Sequence, residues 1–80
     1  MADKPLREHE LVVLRGDLPA HGLVAGDVGT VVLVHRRGEA YEVEFATANG
    51  RAIAVETLTA DQVEPVPDRH VLHARPLVVA

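Results

Sequence analysis

Residues 26–32 read Gly-Asp-Val-Gly-Thr-Val-Val, a turn that leads directly into a strand. Gly26 can adopt a positive φ, and Asp27 can hydrogen-bond within its own turn. Gly29 has no Cβ, so it allows a neighbouring backbone to approach closely. A small, strongly bent β-barrel needs such residues at its first corner. We therefore interpret Gly26, Asp27 and Gly29 as structural turn residues.

Short strands are predicted on both sides of this corner, at residues 10–15, 28–35, 41–45, 51–58 and 63–66. The second strand is apolar on both faces, with Val31 and Leu33 on one and Val32 and Val34 on the other, which is typical of a strand covered on both sides. The third strand alternates strictly. Its pattern places three side chains inward: Tyr41, Val43 and Phe45.

The connections between the strands carry clear turn signals. Residues 17–27 contain too many Pro and Gly residues for a helix and are predicted as a long first loop. Asn49 and Gly50 both tolerate the positive φ of a type I′ turn, so we interpret them as structural turn residues. Thr59 is a candidate N-cap for one helical turn. The prediction is an all-β fold: a small five-stranded SH3-like barrel with a long first loop, one short 3-10 turn before the last strand, and a C-terminal tail.

Three segments are predicted along the chain. Residues 1–8 are polar and form a flexible N-terminal arm, and residues 9–66 form the barrel. Residues 67–80 form a tail that ends in Leu-Val-Val-Ala. This tail could fray, add a strand to the sheet, or act as an oligomerisation element by crossing into a partner subunit.

The composition excludes several classes of protein. The chain has 80 residues, no cysteine and a formal net charge of −4, which argues against a disulfide framework and against non-specific nucleic-acid binding. The N-terminus lacks the apolar core of a signal peptide, and no apolar run is long enough to span a bilayer. We expect a cytoplasmic protein that does not bind membranes.

The order of motifs resembles a known family. Leu11-Val-Val-Leu-Arg, Asp17-Leu-Pro-Ala-His-Gly-Leu, Ala25-Gly-Asp-Val-Gly-Thr-Val-Val, Tyr41-Glu-Val-Glu-Phe and Ala54-Val-Glu-Thr-Leu together resemble a small bacterial family, domain-of-unknown-function family 4926. The resemblance covers roughly residues 9–66. It implies a compact SH3-like domain with no assigned activity and no catalytic residues to transfer, and it leaves room for an accessory or antitoxin-like role.

The corner at residues 26–32 is also similar to two other SH3-like groups. One is the KOW-type module of ribosomal and transcription proteins, which would imply RNA or polymerase contact. The other is the barrel of the nitrile hydratase β subunit, which would imply an accessory subunit of a larger enzyme. Both are analogies at the level of the fold.

Residues that could carry chemistry are sparse. Serine and cysteine are absent, which removes the two commonest nucleophiles. His70 and His73 are three residues apart, but no second pair has the spacing of a zinc site. We expect no enzymatic activity, no cofactor, no metal and no small-molecule substrate.

The function predicted from sequence is a non-enzymatic protein-interaction module that acts through an unidentified partner protein or through self-association of the tail. The alternatives are a nucleic-acid or ribosome-associated module and an accessory subunit. Arg51 is expected to lie near the basic hairpin tip at residues 36 and 37. The candidate partner contacts are Leu18, Pro19, His21, Leu23, Arg36 and Arg37.

Overall fold

The computed structural model describes residues 6–77, which form one antiparallel sheet of five strands. No helix of these residues is long and apolar enough to cross a membrane. The predicted all-β class is confirmed, including the 3-10 turn before the last strand. The elements in chain order are β1 (Leu11–Leu14), a 3-10 turn (Pro19–His21), β2 (Val28–His35), β3 (Ala40–Ala46), β4 (Ala52–Thr59), a second 3-10 turn (Ala60–Gln62) and β5 (Val63–Pro65).

The strands follow the order β4-β3-β2-β1-β5. Strands β1 to β4 form a meander, and β5 returns to pair with the far side of β1. Within residues 6–77, β4 and β5 do not pair with each other. The sheet therefore has two free edges in this part of the chain, and closure into an SH3-like barrel stays a prediction.

A β-bulge at Val32 changes the faces of β2. Val31 pairs with Val43, but the next pair joins Leu33 to Glu42, so Val32 is the additional residue. Val31 is buried and Val34 packs against the core, whereas Val32 and Leu33 are exposed. The predicted strict alternation along β2 is wrong, because the bulge places two consecutive side chains outside.

The core lies on the inner face of the sheet. The predicted inward positions of β3 are confirmed, since Tyr41, Val43 and Phe45 are all buried. Gly29 is buried where β2 meets β3, so the close approach predicted for it is also confirmed. The remaining buried apolar residues are Leu6, Val12, Leu14, Leu23, Val31, Leu58 and Val63.

The β3–β4 turn differs from the predicted type I′ hairpin. Gly50 has a φ of 85°, but Asn49 does not have a positive φ. The Gly50 N–H donates to the Thr47 carbonyl at 2.9 Å, and the Thr47 N–H donates to the Arg51 carbonyl at 2.9 Å. This longer loop, with one left-handed glycine before the returning strand, is a common alternative to the two-residue turn.

The N-terminal end of the described chain packs on the domain. Leu6, which the sequence analysis placed in the N-terminal arm, is buried, and its N–H donates to the Tyr41 hydroxyl at 3.1 Å. Residues 66–77 form no strand. The predictions for residues 1–5 and 78–80 lie outside the described residues.

Candidate functional site

The long first loop is held by two aspartates at its base. Asp17 accepts a hydrogen bond from the Ala25 N–H at 2.8 Å, and Asp27 accepts one from the Val24 N–H at 2.9 Å. The Gly26 N–H also donates to the Leu14 carbonyl at 2.8 Å. Gly26 has a φ of 95°, which only glycine adopts without strain. Both carboxylates are therefore engaged in holding the loop.

Asp27 also binds a residue from the tail. The Arg75 Nε donates to Oδ1 of Asp27 at 2.7 Å, and its Nη2 donates to Oδ2 at 2.5 Å. The same Nη2 donates to the Gly22 carbonyl at 2.9 Å. The guanidinium lowers the pKa of the Asp27 carboxyl below its ordinary value, mainly through the hydrogen bonds and against the opposing effect of partial burial. This is a bidentate charge pair, the stronger type of protein hydrogen bond.

The long first loop reaches β4 through His21. Its Nε2 lies 3.1 Å from Oε1 of Glu56, and both side chains are partly exposed. Glu56 pairs across the sheet with buried Val43, so it lies on the inner face near the loop. His21 is thus a contact between the loop and the far edge strand.

The other predicted contacts in this loop divide into two groups. Leu23 is 3% exposed and belongs to the core, and Leu18 packs against that core. Leu18 is partly buried and pairs with Leu23 through an isolated bridge. The burial of Leu23 contradicts its predicted role as a surface contact. Contact through Leu18 stays a prediction, and Pro19 is exposed at the loop tip.

The predicted basic cluster is smaller than expected. Arg36 and Arg37 are exposed at the β2–β3 hairpin tip, where both have positive φ values. Arg51 follows the β3–β4 turn, at the opposite end of β3. A seven-residue strand spans roughly 20 Å. The expectation that Arg51 lies near Arg36 is therefore wrong.

Exposed apolar side chains of β2 and β4 lie on either side of β3. We call Val32, Leu33 and Val55 the outer patch; Leu33 is 45% exposed and Val55 is 50% exposed. Leu33 pairs with Glu42, and Glu44 pairs with Val55. The outer patch is thus divided by two acidic side chains of β3.

One of these acidic residues is held in place by its neighbours. Oε2 of Glu42 accepts a hydrogen bond from the Thr57 hydroxyl at 2.7 Å and lies 2.6 Å from Nε2 of His35. The Thr57 hydrogen bond, followed by that of His35, lowers the pKa of Glu42 below its ordinary value. Glu42 therefore remains a fixed negative charge between the apolar members of the patch.

A separate open groove of about 1160 Å³ lies between the tail and β1. Val13, Val28, His70 and His73 are among the residues that border it. Within residues 6–77, no three His, Asp or Glu side chains are close enough to share a metal ion.

Comparison with known proteins identifies a family. Residues 8–65 match the family described as Domain of unknown function (DUF4926). The chain belongs to this family. The match confirms the resemblance found in the sequence, and it ends before the tail that carries Arg75. No curated protein and no solved structure matches the chain.

Sequence reasoning missed both the outer patch and the pair formed by Asp27 and Arg75. The consecutive apolar residues Val32 and Leu33 were visible, but their exposure depends on a bulge that no local signal marks. Arg75 and Asp27 are 48 positions apart. A pair so distant in the sequence leaves no trace in composition or periodicity.

Proposed function

We propose that this chain is a non-enzymatic, cytoplasmic protein-interaction module that binds a partner protein through the outer patch. The observation that carries the proposal is the exposure of Val32, Leu33 and Val55; Leu33 and Val55 lie beside Glu42 and Glu44 on the outer face. The alternative occupant of the same face is a second copy of the chain. The accessory or antitoxin-like role implied by the family resemblance would be one form of this activity.

The physical basis is the free energy of removing apolar surface from water. Burial contributes about 25 cal/mol per Å² of apolar area, so covering these aliphatic side chains favours association. Glu42 and Glu44 lie between them. A partner that covers the patch must supply basic groups or hydrogen-bond donors, because an unpaired buried carboxylate is costly. The expected partner surface is apolar with basic residues, and the charges select among partners.

Two features support the absence of enzymatic activity in this proposal. The sequence contains neither serine nor cysteine. The loop carboxylates that could act as acids or bases are engaged with backbone N–H groups, and Asp27 is further bound by Arg75. General acid–base chemistry needs a group free to exchange a proton with a substrate.

Nucleic-acid binding is the weaker alternative. Arg36 and Arg37 are the basic residues of the hairpin tip. Oε2 of Glu39 lies 4.0 Å from Nη1 of Arg36. Arg51 is at the other end of β3, and the acidic residues Glu42 and Glu44 lie beside the outer patch. Phosphate binding depends on clustered basic surface, so the arrangement favours protein over nucleic acid.

The test compares the wild-type chain with Leu33→Glu and Ala60→Glu. Ala60 is exposed and lies in the second 3-10 turn, outside the outer patch, so Ala60→Glu is a control matched in charge. Each full-length chain is immobilised and exposed to an extract of its native cells, and retained proteins are quantified by mass spectrometry. Light scattering of each purified chain reports self-association.

The proposal expects at least one specific species, a partner or a second copy, that wild type and Ala60→Glu retain and Leu33→Glu loses. Loss of a partner identifies a heteromeric module, and dissociation of a dimer identifies the second copy. The proposal is overturned if all three chains are monomeric and retain the same proteins. An interaction that persists in Leu33→Glu would place the contact elsewhere.

A further inference from the structure

Asp27 and the Gly22 carbonyl form a binding site for one guanidinium group. Two carboxylate oxygens and one carbonyl oxygen accept hydrogen bonds from Nε and Nη2 of Arg75, at 2.5 to 2.9 Å. The side chain of Asp27 is only 14% exposed. The planar fork of arginine matches this set of acceptors, whereas a lysine ammonium has no such fork.

The site is held by contacts that do not involve the tail. The Val24 N–H donates to Asp27 Oδ2, and the Asp27 N–H donates to the Val24 carbonyl at 3.0 Å. The backbone of Leu14 pairs with both Gly26 and Asp27. Since these bonds lie within residues 14–27, the acceptors remain oriented when Arg75 leaves.

Arg75, which occupies this site, belongs to a tail that makes few hydrogen bonds with the domain. Within residues 67–77, the described part of the tail, Arg75 makes the hydrogen bonds that join the tail to the rest of the domain. The one backbone bond of this segment, from the His70 N–H to the Pro67 carbonyl, is local. Val71 is 94% exposed. The binding site lies inside the family match at residues 8–65, and its occupant lies outside it.

We propose that Asp27 and Gly22 form an arginine-binding subsite for an extended segment of a partner protein, and that Arg75 fills this subsite as an internal competitor. This inference rests on the proposed interaction function and names a second contact for it. The partner segment presents an arginine outside regular secondary structure, as residues 71–77 do with Arg75 here. A partner must displace the tail, so the tail raises the concentration at which the partner binds.

The test uses a peptide with the sequence of residues 70–77, His-Val-Leu-His-Ala-Arg-Pro-Leu, as a probe added to full-length chains. The chains are wild type, Arg75→Ala, Arg69→Ala and the double variant Asp27→Asn with Arg75→Ala. Arg69 is an exposed arginine of the same tail, which makes Arg69→Ala the matched control. Binding is followed by titration of the backbone N–H signals of Val24 and Gly26.

The peptide is expected to bind Arg75→Ala and to bind wild type and Arg69→Ala at least about tenfold more weakly, because a tethered arginine competes at an effective concentration near millimolar. Binding to the double variant is expected to be lost. Peptides in which the arginine is replaced by alanine or lysine are expected to bind at least about tenfold more weakly, and these controls leave the protein unchanged.

Three results overturn the proposal: no binding of the peptide to Arg75→Ala, equal binding to wild type and Arg75→Ala, or equal binding of the arginine and alanine peptides. None of these results affects the test on Leu33, which concerns the outer patch. Failure of the arginine subsite is therefore distinguishable from failure of the interaction function.

Discussion

A Cβ atom on Gly29 would lie 2.5 Å from Cγ1 of Val43. The same atom would lie 2.8 Å from Cε1 of Phe45 and 3.0 Å from the Glu44 carbonyl oxygen. The backbones of β2 and β3 thus come together above the largest buried side chain of the core, and only a residue without a Cβ leaves room for them.

Gly29→Ala is therefore expected to destabilise the fold. The added methyl group meets both a buried side chain and backbone, so we expect a loss of roughly 1–3 kcal/mol, the usual cost of overpacking a core. Gly16→Ala is the control, because a Cβ there meets nothing within 4 Å and is expected to change stability by less than about 0.5 kcal/mol. Urea unfolding of both variants measures the difference. Equal stabilities would contradict the packing described for β2 and β3.

Stability at low pH is expected to depend on Asp27. Arg75 holds the pKa of this carboxyl below its ordinary value of 3.8, so the unfolded chain takes up its proton at a higher pH than the folded chain. The resulting stabilisation is present at neutral pH, decreases as the pH approaches 3.8, and is lost as the pH falls through the folded-state pKa.

The measurement is the free energy of unfolding between about pH 6 and pH 2, where carboxylates titrate, for wild type and Asp27→Asn. The pH dependence of wild type should be the steeper of the two, and Arg75→Ala should resemble Asp27→Asn. Glu42 also has a lowered pKa, but it is present in all three chains and cancels in the comparison. Parallel curves for wild type and Asp27→Asn would show that the ion pair does not form in solution.

Leu23 should be far more important for stability than its neighbour Val24. Leu23 is a core residue and Val24 is exposed, although both are apolar residues of the same loop. We expect Leu23→Ala to cost about 2–5 kcal/mol, as is typical for a buried leucine, and Val24→Ala less than about 0.5 kcal/mol. Thermal unfolding monitored by circular dichroism compares them. A small effect of Leu23→Ala would mean that the first loop does not close the core.

The stability of the domain should depend on which residue occupies position 50 in the β3–β4 turn. The φ of 85° at Gly50 disfavours side chains with a Cβ, so we expect Gly50→Ala to cost roughly 1–2 kcal/mol. Gly50→Asn should cost less, because asparagine tolerates the left-handed region better than alanine. Chemical denaturation of the two variants tests this order. The reverse order would contradict the positive φ at position 50.

The fold could be predicted from the sequence where a local pattern is compatible with only one structure. The alternation of β3 placed Tyr41, Val43 and Phe45 in the core, and the density of Pro and Gly in residues 17–27 excluded a helix. The bulge at Val32 could not be predicted, because four consecutive aliphatic residues are compatible with several registers. Pairing with β3 selects one of them, and that pairing is tertiary information.

The candidate sites could be predicted less well than the fold. Asp27 was identified as a turn residue, and its hydrogen bond with the Val24 N–H agrees with that role. Its second role, as the partner of Arg75, depends on a chain path that no local pattern encodes. Leu23 is buried and Leu18 packs against the core, because a small domain uses apolar loop residues to complete its core.

The most direct test of the central claim, that this chain acts within a protein assembly through the outer patch, is its native mass in a fresh extract of its own cells. The monomer has a mass of 8.6 kDa. The account predicts that wild type and Ala60→Glu elute above this mass and that Leu33→Glu elutes as the monomer. Elution of the wild-type chain as a free monomer would contradict the account.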